Sequence, residues 1–179
     1  MKFSLFILLF TPIFGLAQVG DTYKGYLHSD FADFFHTTEI KRTPYKNGDV
    51  REIKTGGFQD YITIFIFTDS VSDIIHEASI EIDREWMDEE STSDLSRDLV
   101  KSFLLDFIST ADQPKAMAAG DLLFNHKATQ DKFALEVQDV FNNKKDSVSQ
   151  QFSKSVVTAE NFQNDSKTFF RLKISELTH

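Results

Sequence analysis

His76 followed at once by Glu77 is the pair in this chain that comes nearest to a known catalytic spelling. On a zinc-protease helix, His-Glu is completed by a second histidine four residues after the first, because positions i and i+4 share a helical face and can reach one ion. Position 80 is Ile80, and the segment alternates instead of turning with a helical period, so that chemistry is excluded here. His28, His36, His126 and His179 show no short metal-ligand spacing, and a zinc site would have to be assembled from distant parts of the chain. Asp83, Glu85, Asp88, Glu89 and Glu90 form an acidic run without the alternating oxygens and turn glycine of a calcium loop; it reads as a solvated face. Two carboxylates could cleave a glycosidic bond, but only at a fixed separation across a cleft. No serine occupies a Gly-x-Ser-x-Gly elbow, and Gly56-Gly57 is followed by neither a helix start nor Lys-Ser/Thr. No metal and no other cofactor is expected.

One constellation supports a sharper expectation. Across residues 74–86, Ile74, His76, Ala78, Ile80, Ile82, Arg84 and Trp86 occupy one parity, while Glu77, Ser79, Glu81, Asp83 and Glu85 occupy the other beside Ile75. That is the pattern of a half-buried strand. His76, Arg84 and Trp86 then share an otherwise apolar face, where an arginine is costly unless paired. Either they sit at the rim of the core, with long side chains reaching solvent, or they line a polar-edged cavity. On the second reading they are the candidate ligand-binding residues.

The elements that would position them follow from periodicity. Residues 18–28 are polar and small, a loose lead-in. Ser29 caps a short helix over 30–36, with Asp30 and Asp33 at the positive end of its dipole and Phe31, Phe34 and Phe35 on one face. Residues 38–55 read as a hairpin turning at Asn47-Gly48, a pair suited to positive φ. A strand over 58–68 carries apolar side chains on both parities, the mark of a central strand buried on both faces. The clearest helix is 93–109, striped by Leu95, Leu99, Val100, Phe103, Leu104, Phe107 and Ile108. A strand is expected at 121–127. Residues 131–141 fit either period and are read as strand; 142–151 reads as a polar loop. Further strands are expected near 154–159 and over 168–175.

Adjacent strands with short links give an antiparallel sheet, and a long amphipathic helix among them gives an α+β class. The sheet is covered by the helix at about 93–109 plus the short N-terminal helix. One helix covers only one side, so the second side needs its own cover: the 30–36 helix with segment 131–141, a second copy of the chain, or a ligand. The protein is accordingly expected to be a monomer or a homodimer.

Composition sets the compartment and excludes partners. Met1-Lys2, an apolar run from Phe3 to Phe14 and the small residues of Gly15-Leu16-Ala17 lay out a cleavable secretory signal over 1–17, leaving 18–179 as a single α+β domain without a membrane span. The chain has no cysteine, although its compartment would permit disulfides, which points to a bacterial envelope or medium: periplasmic or secreted. The net charge of −9 disfavours nucleic acid as a partner. Of the nineteen phenylalanines four lie in the leader, and the other fifteen fill a core or line an apolar pocket. The sequence reading is therefore of an exported, non-catalytic module binding an unknown apolar ligand or a protein partner. Two alternatives stand beside it: a hydrolase acting on envelope or extracellular polymer, and a structural or assembly accessory protein.

Overall fold

The structure, a computed structural model, describes residues 18–109, 112–113 and 132–177. The leader expected over 1–17, the strand expected at 121–127, His126 and His179 lie outside the described residues. Seven strands form one antiparallel sheet: β1 (Thr38–Tyr45), β2 (Gly48–Lys54), β3 (Ile62–Asp69), β4 (Ile75–Asp83), β5 (Ser147–Gln151), β6 (Ser155–Asn164) and β7 (Lys167–Glu176), in the order β1-β2-β3-β4-β7-β6-β5. Five helices are described: α1 (Tyr23–Tyr26), α2 (Asp30–Phe34), α3 (Arg84–Met87), α4 (Ser93–Phe107) and α5 (Lys132–Phe141). None of them is long and apolar enough to cross a membrane. Two meanders, β1 to β4 and β5 to β7, meet where β7 pairs with β4 at the middle of the sheet.

Register aligns the core. Ile53, Ile64, Ile80, Leu172, Ala159 and Val148 face one another in a row from β2 to β5. All are buried, and α4 packs across β4 and β7 on that side. Phe103 and Phe107 from α4 lie with ring centroids 4.6 Å apart and are wholly buried. Burying two such rings removes several hundred Å² of apolar surface from water, the main source of stability here.

Several sequence expectations are corrected. The strand read over 131–141 is a helix over Lys132–Phe141, with Phe133, Val137, Val140 and Phe141 buried and Leu135 exposed. The polar stretch 142–151 contains β5. Residues 18–28 hold α1, capped by Thr22 and anchored by buried Tyr23 and Tyr26. The strand expected from 58 begins at Ile62, after a turn in which the Tyr61 and Ile62 amides both donate to the Phe58 carbonyl. The hairpin turns one residue early, at Lys46-Asn47, with Lys46 at φ +52° and Tyr45 paired to Gly48. Gly48 is required for a different reason: a Cβ there would lie 2.0 Å from the Thr68 carbonyl oxygen on β3.

The largest correction concerns the second face of the sheet. Strand β3 buries Ile62, Ile64 and Ile66 against the helices, whereas Thr63, Phe65 and Phe67 are half-buried on the other side. No described helix lies over that outer face. Its charges pair across strands instead. The Arg171 guanidinium bonds Glu81 at 2.6 Å and Glu160 at 2.8 Å, and lies 3.9 Å from the Phe162 ring centroid. The Arg171 side chain thus lies over the Phe162 ring and shields it from water.

Candidate functional site

A bulge separates the residues that alternation had put together. Phe67 pairs with Glu77, but Thr68 pairs with Ile75, leaving His76 as the extra residue. The parity of β4 reverses there, so Ile75 enters the core together with Ala78, Ile80 and Ile82. At the other end the strand stops at Asp83 and becomes α3. His76 and the pair Arg84 and Trp86 therefore sit at opposite ends of β4 and do not share a face. Periodicity could not have shown this, because a bulge changes no residue type.

Arg84 is buried and bound to the protein itself. Its guanidinium donates to the Phe141 carbonyl at 2.7 Å, satisfying an acceptor at the last turn of α5, and pairs with Asp88 at 2.8 Å. Trp86 is buried with its ring 5.6 Å from Phe58 and 5.7 Å from Tyr61, stacked on the latter. Both side chains hold α3 and α5 to the sheet.

His76 faces a shallow groove of about 430 Å³ on the outer side, beside Tyr45, Val50, Phe67 and Glu77. Its Nδ1 lies 2.6 Å from the Glu176 carboxylate and its Nε2 lies 3.6 Å from Asp69. The Ser72 hydroxyl and the amides of Ser72 and Val71 donate to Asp69 and hold its carboxyl well below the usual range. Ser175 lines the same groove, yet both ring nitrogens are directed at carboxylates. Among the described residues no group of His, Asp and Glu could hold a metal ion.

A larger groove, of about 730 Å³, lies between α2 and α4. Phe31, Phe34 and Phe35 line one side; Ser102, Leu105 and Asp106 line the other. The local sequence holds α2 in place. The Ser29 hydroxyl accepts from the Ala32 amide at 3.2 Å, capping the helix start. His36, at φ +49°, ends the helix, and the Thr37 amide closes the turn onto the Ala32 carbonyl. The Tyr26 hydroxyl donates to Thr37 Oγ1 at 3.0 Å and ties α1 to that turn. Phe31 and Phe35 turn inward, with Phe31 edge-on to Phe103 at 5.7 Å. Phe34 cannot follow them around so short a helix and stands 76% exposed. The sequence reading put all three rings on one face and missed this site. The available signal was a third aromatic in a five-residue helix flanked by Asp30 and Asp33.

No protein-family model matches this chain, and no curated protein or solved structure matches it.

Proposed function

We propose that the protein is an exported, non-catalytic binding module of a bacterial envelope or its medium, and that it takes its ligand or partner in the groove between α2 and α4. The observation that carries this reading is Phe34. A large ring held three-quarters exposed by a capped helix, beside Leu105 and in a groove of about 730 Å³, is the kind of surface on which apolar contact is made. The leader and the absence of cysteine support export. Of the residues first singled out, His76 borders an open groove, whereas Arg84 and Trp86 are tied into the packing of α3 and α5.

The test is native mass spectrometry of the protein recovered from the cells that make it, together with its N-terminal sequence. A non-covalent mass that is present on the natural protein and missing from Phe34→Ala, with an N-terminus at Gln18, is the expected result. An intact Met1 would overturn export. A mass retained by Phe34→Ala, or no added mass in either form, would overturn binding in this groove.

A further inference from the structure

Among the described residues, the groove between α2 and α4 carries one sign of charge. Its ionisable lining residues among those described are Asp30, Asp33 and Asp106. Asp30 and Asp33 are exposed and form no ion pair with any described residue, and Asp106 is buried. Between these carboxylates lie the apolar surfaces of Phe31, Phe34 and Leu105. An anionic occupant would meet the like charge of Asp30 and Asp33, and a neutral one would leave these two exposed carboxylates without a counter-charge. A cation beside an apolar group matches both, through the carboxylates and through the negative ring faces.

Shape narrows the class. A small molecule is usually enclosed over most of its surface, whereas Phe34 projects outward and is covered only by something lying across the protein. Resting on the reading that this groove is the binding site, we infer that its occupant is a basic amphipathic polypeptide segment of a partner protein. Its apolar side chains cover Phe34 and Leu105, and its Lys or Arg side chains reach Asp30 and Asp33. The net charge of −9 steers such a segment inward and makes its capture sensitive to salt.

The probes are two labelled helical peptides, one of leucine and lysine and one of leucine and glutamate, followed by fluorescence anisotropy on the purified protein. The lysine peptide is expected to bind, and the glutamate peptide to bind more weakly by roughly a hundredfold or more. Phe34→Ala and the double variant Asp30→Asn/Asp33→Asn are each expected to weaken the lysine peptide by roughly tenfold. Glu89→Gln/Glu90→Gln removes the same charge at the opposite end of α4 and should change little. Asp30 and Asp33 also support the start of α2, so Phe34→Lys is the companion variant. It gives up only the edge contact of the exposed Phe34 ring with Phe35, 4.9 Å between centroids, and should abolish lysine-peptide binding while lowering the melting temperature little.

Four results would overturn the inference. Equal binding of the glutamate peptide, still dependent on Phe34, would leave an apolar site without charge preference and would spare the binding-module reading. Equal losses in the Glu89/Glu90 and Asp30/Asp33 variants would show diffuse attraction. A dimer in sedimentation that Phe34→Lys dissociates would make a second copy the occupant. No binding of either peptide would remove the polypeptide, and if a neutral apolar dye is also refused, the proposed binding site falls with it.

Discussion

On the inner face of the sheet, the row from Ile53 through Ile80 to Val148 contains no polar side chain; one residue along each central strand, Thr63, Glu81, Arg171 and Glu160 face one another on the outer side. The inner row is buried, with α4 packed on β4 and β7 and α5 packed on β5 and β6. The outer row stays half-exposed and satisfies its charges across strands. Aromatic rings occur on both faces, and their surroundings decide what each does. Phe103 is locked among Phe31 and Phe107, while Phe67 leans edge-on to Tyr45 at 5.8 Å in an open groove. Among the described residues, β3 is apolar on both parities, yet a helical layer covers only its inner one. Long neighbouring side chains can shelter the second set of rings.

The comparison is broken most severely from the inside. Phe103→Ala should cost about 3–5 kcal/mol, the range for deleting a buried ring, read from urea unfolding. A loss near that of a surface change would mean that α4 is not the main cover. Next comes Arg84→Met, which keeps the stem but leaves the Phe141 carbonyl without its donor. About 1–3 kcal/mol is expected, with α5 the first element to lose hydrogen-exchange protection. On the outer face Arg171→Met should cost no more than about 1 kcal/mol, because its ion pairs are partly solvated, and added salt should shrink the difference further.

The smallest effect sharpens the boundary between the layers. Asp112 joins the end of α4 to the turn before β6. Burial works against its ionised form, but the hydroxyls of Ser153 and Ser109 and the Ser153 amide outweigh it and hold the carboxyl below its usual range. Its pKa is therefore lower folded than unfolded, so the unfolded chain takes up the proton first on acidification. The stability it contributes is present above the unfolded value, about 3.9, and is lost as pH falls through the folded value. Asp112→Asn should flatten the fall of the urea midpoint on the acid side of about pH 4, and an unchanged slope would count against this contribution.

Elements with a long, unbroken period were the ones the sequence could announce. The stripe from Leu95 to Phe107 repeats over four turns, and the structure places its helix over Ser93–Phe107. Residues 132–141 satisfied two templates at once. Leu135, which only the alternating pattern needs inside, is the residue left exposed, and Val140, which only the helix needs inside, is buried. The bulge at His76 left no trace in composition, so a face was read across it that does not exist. Helix α1 is too short for any period to show, although Thr22 with Tyr23 and Tyr26 spells a cap and an i, i+3 pair. The groove at Phe34 escaped for a related reason. Spacing gives the angle around a helix axis, but not how little of a five-residue helix the core can receive.

The central claim is that this protein meets its partner at Phe34, between α2 and α4, and not on the open face of the sheet. Nile red, a neutral apolar dye, tests it most directly when added to the natural protein, to Phe34→Ala and to Phe67→Ala. The account predicts enhanced fluorescence with the natural protein, loss of most of it in Phe34→Ala, and retention in Phe67→Ala. Enhancement that survives Phe34→Ala and disappears in Phe67→Ala would move the site to the outer face beside His76 and contradict the account.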